Sequence, residues 1–170
     1  MRQLPKPRRR RRPHPVSHSR VGSRSRPMTR RMLVAVLALG GVFLAAYLTL
    51  YHYGYVGSLA CGTGGCEKVQ GSSWAKFLGV PVALWGTGYY MSVFAVATAG
   101  SLGPWVERRW PSGALVFLNG WGVLFSVYLT WAEVARIHAI CRYCVVSAGL
   151  VVVLFSLSLL DLRDYRRAPK

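Results

Sequence analysis

Acidic residues are scarce in this chain: five Asp and Glu stand against 22 Lys and Arg, giving a net charge of +17, while 52% of the residues are hydrophobic. One soluble globule does not carry both excesses. They are compatible if the basic and the apolar residues occupy different stretches, and they do. Period-2 alternation of apolar and polar residues is also lacking, which excludes a transmembrane β-barrel. No stretch is left over for a separate soluble core. Outside four long apolar runs there remain a basic arm, one loop of 28 residues (52–79), two short loops and a basic tail. Cysteine is limited to four residues.

The apolar runs cover residues 32–51, 80–100, 114–132 and 141–160. A bilayer core about 30 Å thick needs roughly 20 apolar residues of helix. Helices also satisfy their own backbone polar groups, as lipid demands. The expected fold is therefore all-α, an integral membrane four-helix bundle. Trp74, Phe77 and Leu78 suggest a short interfacial helix in the loop 52–79. The expected organisation is a disordered basic arm (1–31), a membrane domain (32–160) and a basic tail (161–170). Arg30-Arg31 ahead of the first run and Leu59-Ala60-Cys61 faintly suggest processing signals. The first run is long enough to span, so an uncleaved anchor is expected.

Lys and Arg gather on the cytoplasmic side of membrane proteins. With the N-terminus inside, residues 1–31, 101–113 and 161–170 bring eighteen Lys and Arg to that side, against four on the other. Both termini are thus expected to be cytoplasmic. The arm holds the run Arg8 to Arg12 but no aromatic residue, so it reads as an orienting, lipid-contacting segment rather than a nucleic-acid-binding one.

This orientation puts all four cysteines at the outer surface, where disulfides persist. They form two pairs, Cys61 with Cys66 in the first outer loop and Cys141 with Cys144 at the start of the fourth run. On a helix, Cys141 and Cys144 share a face. A helix N-terminus favours a thiolate, and Arg136 and Arg142 add positive charge. Cys144 would border the hydrocarbon, about 4.5 Å deeper along the axis. Cys141 would face the water and the loop. Cys61 and Cys66, beside Gly62, Gly64 and Gly65, would sit on flexible backbone. A relay fits this arrangement, leading from a soluble thiol protein through the loop pair and the helix pair to a lipid-soluble acceptor. Static disulfides in a non-catalytic scaffold or assembly factor, and a four-cysteine zinc site, are the competing readings.

Taken together, these residues resemble the vitamin K epoxide reductase family in its bacterial form, over residues 32–160. The carriers are Cys61-Gly-Thr-Gly-Gly-Cys66, then Ser72-Ser73-Trp74, Gly79-Val80-Pro81-Val82, and Cys141-Arg-Tyr-Cys144 opening the last helix. The resemblance implies a thiol–disulfide oxidoreductase of the bacterial inner membrane that supports disulfide formation outside the cytoplasm. It assigns catalytic roles to all four cysteines and implies no metal. Cys61 would take electrons from a thioredoxin-like (DsbA-like) protein, separate here because no such domain is fused. Cys66 would exchange with Cys141. Cys144 would adjoin the quinone cofactor, ubiquinone or menaquinone, with Ser72 binding or polarising a quinone oxygen. A related quinone-linked class carries its C-x2-C in the first loop, which this chain does not.

The chain departs from the family pattern in places. No Asn lies in residues 82–85 and no Tyr in 145–148, where some members contact quinone. Polarisation would then rest on Ser72, with Ser147 as a second candidate. Asn119 reads as an interhelical hydrogen bonder, and Gly120 and Gly122 as sites of close packing. Trp74 suits a lid or an interfacial anchor. His52, Glu133 and His138 read as solvated groups at helix ends, with Glu133 and His138 also positioned to pass protons.

Overall fold

The computed structural model describes residues 21–59, 61, 65–102, 105 and 108–167, with the side chains of 21–28 and 167 excepted. Four long helices dominate: α1 (Val21–His52), α3 (Val82–Ser101), α4 (Trp110–Ala132) and α5 (Arg142–Arg167). Between α1 and α3 lie a short helix, α2 (Gly65–Gln70), a single 3-10 turn (Ser73–Ala75) and a two-stranded hairpin, β1 (Lys76–Phe77) with β2 (Val80–Pro81). The long helices, α4 counted on to Ile137, provide apolar spans of 20 to 28 residues, enough to cross a bilayer. Large apolar side chains such as Phe43, Phe117 and Leu124 are two-thirds or more exposed. Water would not tolerate so broad a belt, and lipid covers it. The protein is a multi-pass membrane bundle.

Small residues let the helices approach closely, as they must where lipid removes the hydrophobic drive for association. Ala35, Ala38, Ala45 and Ala97 are buried with Val34, Tyr90, Val93, Leu115, Val151 and Leu154 in one core. Gly41 of α1 lies flat against the Tyr90 ring of α3, and Gly122 of α4 against the Tyr89 hydroxyl, where a Cβ would come within 2.7 Å. Asn119 meets its expectation. It accepts from the Tyr89 hydroxyl (2.6 Å) and donates to Ser158 Oγ (3.0 Å), so three helices share one amide.

Three expectations change. Helix α1 begins at Val21, so the described part of the arm is helical; the rest lies outside the described residues. Arg31, placed in the arm from its charge, is 1% exposed. Its guanidinium bonds Asp161 Oδ2 (3.0 Å), the Gly100 carbonyl (2.6 Å) and Ser112 Oγ (2.9 Å), tying all four long helices at the end remote from the cysteines. Asp161, expected in the tail, is equally buried, and α5 continues to Arg167. A charge enters a bundle when its partner does, and the pair lies 130 residues apart in sequence. Finally, Trp74 lies in the single 3-10 turn, but Phe77 and Leu78 belong to the hairpin and not to a helix. Leu78 (φ 54°) and Gly79 (φ 79°) form the tight turn of the hairpin, both left-handed as that turn demands. The short helix of the loop is α2.

Candidate functional site

Beyond α1 the chain turns back over the bundle. Leu59, Cys61, Cys66 and Val69 are buried with Leu48 of α1 and Cys141, and Tyr47, Tyr51, Ile137, Tyr143 and Cys144 pack around them. A disulfide joins Cys61 to Cys66, with Cα atoms 6.1 Å apart. These two cysteines were expected on flexible backbone at the outer surface, but they are 1% and 0% exposed. The apolar side chains beside them explain this: Leu59 and Val69 can leave water only by carrying the cysteines down with them. Gly62, Thr63 and Gly64 lie outside the described residues. Gly65 lies against the backbone that leads to Cys141. A Cβ there would come within 2.6 Å of the Ile140 carbonyl oxygen, so glycine lets the loop pair seat on the helix pair.

The second pair is set by an unusual helix end. Helix α4 widens into a π-helical turn (Glu133–Ile137), closed by His138 in the left-handed region (φ 52°, ψ 42°). The Ala139 amide returns to the Glu133 carbonyl (3.3 Å), and the Cys141 amide donates to Glu133 Oε2 (3.2 Å). Such turns recur at functional sites. Glu133, read as solvated, is 5% exposed. His138 ends the turn. Arg136 lies over the Trp131 ring, 5.5 Å from its centre.

Cys141 precedes α5, and Cys144 lies in its first turn; both are thiols. Cys141 is fully buried, contrary to the expectation that it faces water. A hydrogen bond from the Cys144 thiol is the main cause pulling Cys141 down to about 7. The amides of Cys144 and Tyr143 add to it, while burial and the Glu133 charge oppose it. The helix N-terminus was expected to stabilise a thiolate at the pair. The stabilised member is Cys141, because the Cys144 thiol and, to a lesser degree, the free amides of the first turn converge on its sulfur.

Cys144 forms part of the wall of a cavity of about 890 Å³ between α1, α3, α4 and α5. Its lining is apolar and aromatic, including Trp85, Trp121 and Phe125, with Trp74 and Phe77 contributed by the loop. Trp74 also packs on Tyr128 and Trp131. The polar groups of the wall are few: Gln70, Tyr89, Tyr90, Ser92, Ser126, Thr130, Glu133 and Ser147, beside the Cys144 thiol. The Tyr90 hydroxyl holds Ser147 Oγ at 2.8 Å, one turn below Cys144. A large apolar site with a few converging polar groups suits a flat, apolar molecule with two carbonyls, such as a quinone.

Ser72 stands apart from this wall. Its hydroxyl donates to the Val69 carbonyl (2.7 Å) and closes the end of α2. Sequence reasoning missed Gln70, Tyr89 and Tyr90, and it weighed Glu133 as solvent-facing. One signal was available, since Glu133 is the only acidic residue between positions 108 and 160.

Residues 32–159 match the model of the Vitamin K epoxide reductase family, three-quarters of the chain. The chain belongs to that family, and with it to the membrane thiol–disulfide oxidoreductases, a family generally linked to quinone.

Proposed function

From this membership we propose that the chain takes electron pairs from a separate thioredoxin-like protein and passes them to ubiquinone or menaquinone. It thereby sustains disulfide formation outside the cytoplasm of a bacterium. In this reading the protein lies in the inner membrane, with both termini cytoplasmic and the cysteines on the outer side. The observation that carries the reading is the packing of the loop disulfide against a reduced Cys141–Cys144 pair whose inner member opens on an apolar cavity.

The steps use the chain's own sulfurs. A reduced partner opens Cys61–Cys66 by attack on Cys61, and the partner's second thiol then displaces Cys61, leaving the partner oxidised and both loop cysteines free. Cys66 then attacks Cys141 in a Cys141–Cys144 disulfide, and Cys144 leaves as a thiolate. Cys61 next attacks Cys66, which re-forms the loop disulfide and releases Cys141. A sulfur held near 7 is a good leaving group, so the hydrogen bonds on Cys141 favour this last step. The result is an oxidised loop pair beside a reduced helix pair, the state seen in the structure. Bound in the cavity, a quinone supplies the two-electron sink. Cys144 is the sulfur on that wall, and Tyr89, Tyr90, Ser147 and Gln70 are the groups that would hold the quinone there. Ser72 acts on this site only through α2, by fixing the end of the helix that carries Cys66.

A non-catalytic scaffold with static disulfides is the alternative, and it calls for both pairs to be bridged. Quinone reduction by the purified protein, driven by a reduced thioredoxin-fold protein, separates the two. Wild-type turnover with ubiquinone or menaquinone analogues is expected, with loss of turnover in Cys144→Ala, which cannot form the Cys141–Cys144 disulfide that Cys66 attacks. Absence of wild-type turnover across both analogues and several donors would leave the scaffold reading.

A further inference from the structure

Glu133 is buried at the junction of α4 and α5, bonded to the Cys141 amide and on the same cavity wall as Cys144. A buried carboxylate is costly unless something holds it. One oxygen accepts the Cys141 amide at 3.2 Å. That contact alone does not call for a charge, since a neutral amide side chain would accept the same bond. What distinguishes Glu133 is its place: it shares the cavity wall with Cys144, the one thiol of the pair that opens on the cavity, and it is the only acidic residue on that wall among the described residues. The π-helical turn brings the carboxylate there, by adding a residue to the last turn of α4 and swinging the chain around Glu133.

Building on the function proposed above, we infer that Glu133 accepts the proton of the Cys144 thiol and hands it to a quinone oxygen as the Cys141–Cys144 disulfide forms. In that step the S–H bond of Cys144 breaks and the S–S bond forms between Cys144 and the Cys141 thiolate. Both electrons pass to the quinone. The Cys144 proton travels through Glu133 to one quinone oxygen. The second proton, released earlier when Cys141 ionised, returns from the medium to the other. Cys141 cannot do this work for Cys144, because it must present an unprotonated sulfur to form the bond. Glu133 is the carboxylate that holds the Cys141 amide and also lines the cavity beside Cys144.

The test uses full-length protein in lipid nanodiscs, with the four cysteines reduced and a ubiquinone or menaquinone analogue added. Glu133→Gln keeps the acceptor for the Cys141 amide and removes the proton carrier. It should slow the first quinone-reducing phase about 100-fold, the low end for general acid–base catalysis, while thiol–disulfide exchange between the two pairs stays within about threefold. Glu133→Asp should recover most of the loss. A second readout needs neither quinone nor a variant. Redox-difference infrared spectra of the wild type should show a carboxylate band that shifts when Cys141–Cys144 is reduced, because reduction puts a thiol proton and a Cys141 thiolate beside Glu133. Glu133→Gln should abolish that shift. A Gln variant as fast as wild type would overturn the inference, and so would the absence of any carboxylate shift in the wild type, even if the variant does not fold. Failure of the wild type to reduce any quinone would instead overturn the underlying functional reading.

Discussion

Gly65→Ala should separate the two halves of the electron path. The substitution adds one methyl group where α2 meets the backbone ahead of Cys141. Its carbon would stand 2.6 Å from the Ile140 carbonyl oxygen, and ordinary contact begins at 3.4 Å. The obstacle is a main-chain atom, so no side-chain rotation relieves it. The start of α2 must lift by about 0.8 Å, and a misplacement of about 1 Å costs on the order of 100-fold in a reaction between aligned groups. Exchange between Cys66 and Cys141 should therefore slow about 40-fold. Alanine is a better helix former than glycine, so a weaker α2 is not the cause. In stopped flow, fully reduced protein mixed with excess quinone should react in two phases. The first oxidises Cys141–Cys144 and should be unchanged. The second draws electrons from Cys61–Cys66 and should show the slowing. An unchanged second phase, or equal slowing of both, would refute the argument that this glycine seats one pair on the other.

Two further predictions concern the ends of the bundle. Asp161→Ala should destabilise the protein by about 3–5 kcal/mol, because it leaves the buried Arg31 guanidinium without its carboxylate. The double variant Arg31→Met with Asp161→Leu should regain most of that in denaturant titrations in detergent; a double variant no more stable than the single one would contradict the account. At the other end, the thiolate form of Cys141 should appear near pH 7 rather than near the ordinary 9. Its alkylation rate in reduced, quinone-free protein should rise through pH 7 and level off by about pH 8. The folded-state value is depressed, so the stability gained from the thiolate is present at high pH and is lost as pH falls through 7. Cys144→Ala removes the leading cause and should move the alkylation midpoint upward; a midpoint that stays put would assign the shift to the helix amides alone.

Four spans, two cysteine pairs and a family signature were open to reading along the chain, because they depend on local quantities. Apolar run length decides whether a helix can cross lipid, and C-x2-C spacing places two sulfurs on one helical face wherever that helix sits. Asn119 was legible for a similar reason, since an amide in an apolar run must find a partner on another helix. The errors share a different cause. Arg31 and Asp161 looked like flanking charges because each was judged without the other. Cys61, Cys66 and Cys141 looked surface-exposed because neighbouring glycines and polar residues mark a loop but do not say what the loop rests on. Glu133 looked solvated because its partner amide is eight residues away, across a π-helical turn that the sequence pattern did not reveal. Composition and spacing thus determined that this is a helical membrane protein with two redox-capable cysteine pairs. Which sulfur is stabilised as a thiolate, which carboxylate touches the pair, and which side chains line the cavity beside Cys144 were decided only by tertiary structure. Burial and hydrogen bonding depend on neighbours that the fold, and not the chain order, brings into contact.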